Sequence, residues 1–132
     1  MRKFIFTALC LTSSFFCFSQ TQLDMNTQAF NNYKKADTKL NQVYSQILKE
    51  YKSDIVFITN LKNSQRLWIQ FRDAEMKAKY PDREEGYYGS IFPLCWNLYI
   101  KELTEERTKK LGIWLVGIPE GDGCSGSVKS KE

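Results

Sequence analysis

Two carboxylate pairs are the first candidates for chemistry in this chain. Glu84 and Glu85 are adjacent in a glycine-containing stretch, and Glu102 and Glu106 stand one helical turn apart. A carboxylate pair can hydrolyse a glycosidic bond when its members face each other across a cleft. Neighbours in one loop, or on one helix face, do not meet that geometry alone, and charged side chains are mostly solvated. Nucleophilic chemistry is poorly supplied. The chain has no histidine, which removes Ser–His and Cys–His pairs, the commonest general base and most zinc sites. No glycine-rich phosphate loop precedes a helix. The expectation is a protein that is not an enzyme and needs neither cofactor nor metal.

Three polar patterns interrupt the apolar spacing. Asp37, Asn41 and Tyr44 are spaced four and three, so they share one helix face. Gln65, Arg66, Trp68, Arg72 and Asp73 form a second set, in which Arg72 lies one turn from Trp68 and can rest its guanidinium on the indole. Leu103, Thr104 and Arg107 form the third. The structural expectation is a polar network between helices, with Asp37 paired to Arg66 or Arg72 and with Asn41 or Tyr44 completing its hydrogen bonds. The alternative is a polar groove that receives a ligand. A better binding candidate is the run from Pro81 to Ser90. Tyr87 and Tyr88 sit between Gly86 and Gly89, and Tyr offers much contact area for little entropy. Asp82, Glu84 and Glu85 beside them suit a basic partner. In the competing reading both tyrosines cover the end of the fold.

Helices must carry these residues. Residues 24–51 hold no Gly or Pro. There Phe30, Tyr33, Ala36, Leu40, Val43, Tyr44, Ile47, Leu48 and Tyr51 recur in threes and fours, the stripe of an amphipathic helix. Ser53-Asp54 offers a break and an N-cap. A second helix then runs to about Tyr80, with Ile55, Ile58, Leu61, Trp68, Ile69, Phe71 and Met76 inward, until Pro81 stops it. Ser90 is the candidate cap of a third helix that reaches about Val116 and turns Leu94, Leu98, Leu103, Leu111, Trp114 and Leu115 inward. Short connections imply an all-α, antiparallel bundle of three long helices. After residue 116, Gly117, Pro119, Gly121, Gly123 and Gly126 predict an irregular tail, frayed from Val128 onward.

The first residues read differently. Arg2 and Lys3 precede an apolar run from Phe4 to Phe18 and a small residue, Ser19, the layout of a secretory signal peptide. The expected organisation is a removable leader over 1–19, a helical domain over 20–116 and a tail over 117–132. The run is too short to span a membrane, and the residues before Cys10 and Cys17 fit a lipoprotein signal poorly. Losing Arg2 and Lys3 takes the formal net charge from +4 down by two, too near neutral for a nucleic-acid or anionic-membrane partner. Cys10 and Cys17 leave with the leader. Cys95 and Cys124 remain, and an even pair outside the cytosol reads as a disulfide. Such a bond would add about 3 kcal/mol and tether the tail to the start of the third helix.

Together these patterns resemble the N-terminal domain of LprI-like lysozyme inhibitors, exported bacterial proteins. The matching pieces are Met25-Asn26, Tyr33…Ala36-Asp37…Leu40-Asn41…Tyr44, Gln65-Arg66…Trp68-Ile69…Phe71-Arg72-Asp73-Ala74, Gly89-Ser90…Pro93, and Leu103-Thr104…Arg107. The segment Glu120 to Ser127 resembles the ending of one branch of that group. This chain departs from the group at Gln28, Met76 and Tyr99, where many members carry cysteines. The resemblance implies a helical, non-enzymatic envelope domain with a protein partner, a lysozyme among the candidates. The rival expectation is an envelope structural or stress-related module that binds protein or cell-wall material and inhibits nothing.

Overall fold

The computed structural model describes residues 21–131 with their side chains; the expected leader, residues 1–19, lies outside that fully described part. Three helices form an up-down-up bundle: α1 over Arg2–Glu50, α2 over Ile55–Lys79 and α3 over Phe92–Val116. Among the described residues there is no strand, only one isolated parallel bridge between Ile118 and Ser130. No helix among them is long and apolar enough to cross a membrane. Asp54 caps α2, its Oδ1 accepting the Phe57 amide hydrogen at 2.9 Å. Ser90 does not cap α3. That helix starts one residue later, at an Ile91 cap without a side-chain bond, and Pro93 in its first turn needs no amide partner.

The core is a row from each helix: Ala36, Leu40, Val43 and Ile47 from α1, Leu61 and Met76 from α2, Ile100 and Leu111 from α3. Each fully buried aliphatic chain stabilises the fold by about 1.5–3 kcal/mol. Thr104 is also fully buried. Its hydroxyl is satisfied within the helix by donating to the Ile100 carbonyl at 2.7 Å. Several expected inward residues lie outside. Phe30, Ile55, Ile69, Phe71 and Leu98 are exposed, with Phe71 58% and Leu98 51% accessible. The inward faces also include Ala29, Gln65 and Thr104, small or polar residues buried beside the aliphatic row.

The Cys95–Cys124 bond is not formed; both cysteines are free thiols. The tail packs elsewhere than expected. Cys124 borders a recess with Lys109, Lys110, Ile113 and Trp114, about 20 Å along α3 from Cys95 at 1.5 Å per residue. A disulfide requires Cα atoms within about 7 Å. Hydrogen bonds hold the tail instead. The Tyr51 hydroxyl donates to the Trp114 carbonyl at 2.8 Å and accepts from the Lys129 amide at 3.1 Å. Trp114 Nε1 donates to Ser127 Oγ at 3.0 Å, and Lys129 Nζ meets Glu50 at 3.2 Å. The Ile118 amide donates to the Lys129 carbonyl and the Lys131 amide to that of Ile118. Residues 129–131, expected to fray, are therefore tied down.

Candidate functional site

The connection from α2 to α3 is built from two overlapping turns. The Tyr87 amide donates to the Glu84 carbonyl at 3.1 Å and the Gly89 amide to the Gly86 carbonyl at 3.0 Å. Gly86 and Gly89 take φ values of 81° and 71°, where an L side chain is strained. These turns send the two tyrosines in different directions. Tyr88 folds inward, donating its hydroxyl to the Pro81 carbonyl at 2.7 Å and stacking on Phe92 at 5.0 Å. Tyr87 stays 61% exposed, its ring edge-on to Tyr88 at 5.0 Å. The two sequence readings thus divide between the residues: Tyr88 covers the bundle end and Tyr87 offers a surface.

Beneath the loop is a cluster of rings with Tyr80 at its centre. Tyr80 meets Tyr88, Phe92, Trp96 and Tyr99 at centroid distances of 5.8, 5.5, 5.8 and 6.5 Å. Such pairs add about 0.5–1.5 kcal/mol each beyond buried area. Burial, with Cys95 and Tyr88 nearby, raises the Tyr80 phenol above its ordinary pKa. The Tyr99 hydroxyl donates to Glu75 at 2.9 Å, and that bond is the main reason its phenol is raised too. Lys79 Nζ lies 3.3 Å from the Tyr99 ring centre. Sequence reasoning did not single out Tyr80; its position immediately before Pro81, at the mouth of the tyrosine loop, was the available signal.

Asp82, Glu84 and Glu85 are all exposed, and none of them joins an ion pair among the described residues. Arg83 lies over the Tyr87 ring, 5.8 Å from its centre. A recess of about 260 Å³ runs between the loop backbone, Tyr80 and Trp96. Glu84 and Glu85 are neighbours on a solvated turn, and Glu102 and Glu106 are exposed on α3. The arrangement is suited to contact: one exposed aromatic ring, an acidic rim and a stiff base.

The expected polar network is arranged differently. Asp37 pairs with neither Arg66 nor Arg72; it accepts a long 3.4 Å bond from Asn41 on its own helix. Arg66 turns to Asn63 at 2.8 Å, and Arg72 grips adjacent Asp73 at 2.8 Å. Local partners one turn away or next door satisfy these groups with no strain on helix spacing. Among the residues expected in the network, Arg107 makes the cross-helix link, donating to Gln65 Oε1 at 3.0 Å and Ser64 Oγ at 3.1 Å. Two guanidinium groups lie over the Trp68 ring, Arg72 at 5.4 Å and Arg107 at 5.8 Å from its centre. Tyr44 makes no part of this link, and burial raises its phenol. Burial also raises Tyr33, whose field includes Arg72, Asp37 and Asp73. Among the described residues no cluster of three or more acidic or sulfur groups is placed to hold a metal ion.

Residues 18–111 match the family described as lysozyme inhibitor LprI. A Rhizobium meliloti (strain 1021) protein described as uncharacterised is 28% identical over 102 residues, spanning 69% of this chain and 71% of its own length. No solved structure matches the chain. All of α2, the tyrosine loop, α1 from residue 18 and α3 up to residue 111 fall within the family match, and the tail lies beyond it.

Proposed function

We propose a lysozyme-inhibitor role from one premise: this chain belongs to the LprI lysozyme inhibitor family. In this reading the leader over 1–19 exports the protein to the cell envelope, and the helical domain over 20–116 acts there on a muramidase, an enzyme that cleaves cell-wall glycan. Inhibition is steric. The loop end, with Tyr87 outermost and Asp82, Glu84 and Glu85 around it, enters or covers the substrate cleft. The observation that carries this is the loop's construction, in which a 61%-exposed tyrosine stands on a packed base of rings. A ring already held in place loses little entropy on binding. Unpaired carboxylates beside it favour a basic enzyme surface and disfavour an acidic one.

Muramidase assays with excess protein test the reading. Wild type is expected to inhibit at least one animal or bacterial muramidase. Tyr87→Ala should weaken inhibition by about tenfold, the effect of a 1.4 kcal/mol anchor. Glu84→Lys with Glu85→Lys should weaken it further at low salt than at high salt. Absence of inhibition across both enzyme classes, with retention on cell-wall polymer, would favour an envelope module that inhibits nothing.

A further inference from the structure

A larger recess lies at the other end of the bundle, between the first half of α2, the last half of α3 and the tail. Its volume is about 480 Å³, within the range of small-ligand sites. Phe57, Leu61, Leu111 and Trp114 form an apolar interior, and Ser127 of the tail closes one side. Two cations, Arg107 and Lys110, line it against one carboxylate, Asp54. That carboxylate is already engaged in capping α2. Arg107 is half-buried and donates only to the neutral acceptors Gln65 and Ser64. No carboxylate pairs with Arg107 or Lys110 among the described residues. A cation drawn out of water without a counter-charge is disfavoured. Burial lowers the Arg107 pKa for that reason.

We propose that this recess binds a small organic anion, a carboxylate carried on an aliphatic or aromatic body. The carboxylate faces Arg107 and Lys110, and the body lies against Phe57, Leu111 and Trp114. The guanidinium fork suits a planar carboxylate. The tail helps shape the site, because Ser127 holds the Trp114 indole nitrogen and so fixes that wall. This site is separate from the tyrosine loop, and its occupancy does not depend on muramidase inhibition.

Titration of the full chain with decanoate below its micellar concentration, followed by amide NMR shifts, is the test, with decan-1-ol as the uncharged comparison. Saturable shifts at Ser64, Leu111 and Ser127 are expected with decanoate, and about tenfold weaker binding with the alcohol. Lys110→Glu, an exposed change, should weaken decanoate about tenfold and leave alcohol binding unchanged. Arg107→Gln should weaken it at least as much. Since Arg107 also bridges two helices, the Lys110 variant decides the matter if Arg107→Gln loses its helical signal. Equal affinity for acid and alcohol, shifts confined to other surfaces, no saturation, or indifference to Lys110→Glu would each overturn the proposal.

Discussion

The two ends of the bundle are closed by opposite means. At the loop end, rings pack on rings around Tyr80, and the carboxylates of the loop make no internal ion pair. At the tail end a smaller ring group, Tyr51, Phe57 and Trp114, is surrounded by polar links to the tail. There Glu50 and Lys129 answer each other. Among the described residues, apolar closure leaves the loop's carboxylates unpaired on an exposed turn, whereas polar closure ties the tail down and leaves the unpaired cations Arg107 and Lys110 at the recess beside it.

The largest blow to this contrast should come from Tyr80→Ala. It removes the ring that four others share, at a half-buried position, and should destabilise the protein by about 2–3 kcal/mol in urea unfolding. Tyr87 should become mobile, and any muramidase inhibition should fall with it. A loss under about 1 kcal/mol would show that the loop end does not depend on its rings. Next is Gly117→Ala at the tail end. Gly117 has φ 80° and ψ 176°, and an added Cβ would stand 2.8 Å from the Lys129 carbonyl oxygen. That backbone region belongs almost wholly to glycine, at a cost of about 1–3 kcal/mol for other residues. The chain can escape by releasing its tail, so the loss is bounded by the tail's own docking energy. Hydrogen exchange at the Ile118 and Lys131 amides should rise sharply while Leu40 and Ile47 stay protected.

Sequence periodicity located the three helices because Pro81, the Ser53-Asp54 break and the glycine-rich ending punctuate them. It was weaker on which face turns inward. In α3 apolar residues occur nearly all round, so Leu98 and Ile100 were equally eligible, and packing against α1 and α2 chose Ile100 and Thr104. In α2 the inward row passes through Gln65, a polar residue that apolar spacing discounts. The loop's tyrosines could be read from flanking glycines, since a positive φ is a local property. The tail's position could not. Its attachment depends on Tyr51, which sits at the end of an apolar stripe and gives no sign that its hydroxyl bridges Trp114 and Lys129. Compartment chemistry suggested a disulfide, but a pairing argument carries no distance, and distance along α3 decided against it.

A finer test of the polar closure is Tyr51→Phe. The ring remains against Phe57, 4.9 Å away, so packing is kept. Two hydrogen bonds disappear: the Trp114 carbonyl loses a donor and the Lys129 amide an acceptor. The bond to the Lys129 amide is exposed and the bond to the Trp114 carbonyl part-buried, so the expected cost is about 1 kcal/mol. The loss should appear as faster exchange at Lys129 and Lys131, and the tyrosine loop should not respond. A change at Tyr87 would mean that the two ends communicate through the bundle.

The smallest expected effect is electrostatic and depends on pH. Hydrogen bonds from Gln46 and Lys129 hold the Glu50 carboxyl below its ordinary value of 4.5. A carboxyl whose folded pKa is depressed adds stability that is complete above the ordinary value. That stability disappears as acid protonates the folded form. The Lys129 side chain should therefore loosen as the pH falls through and below 4.5, while the Tyr51 hydroxyl keeps its hold on the Lys129 amide. Lys129 side-chain NMR shifts should show this step, and Glu50→Gln should abolish it without detaching the tail. The loop end offers the control. Tyr80 and Tyr99 are raised phenols that stay protonated across this range, so acid should leave the ring cluster in place and alter only the charges around it.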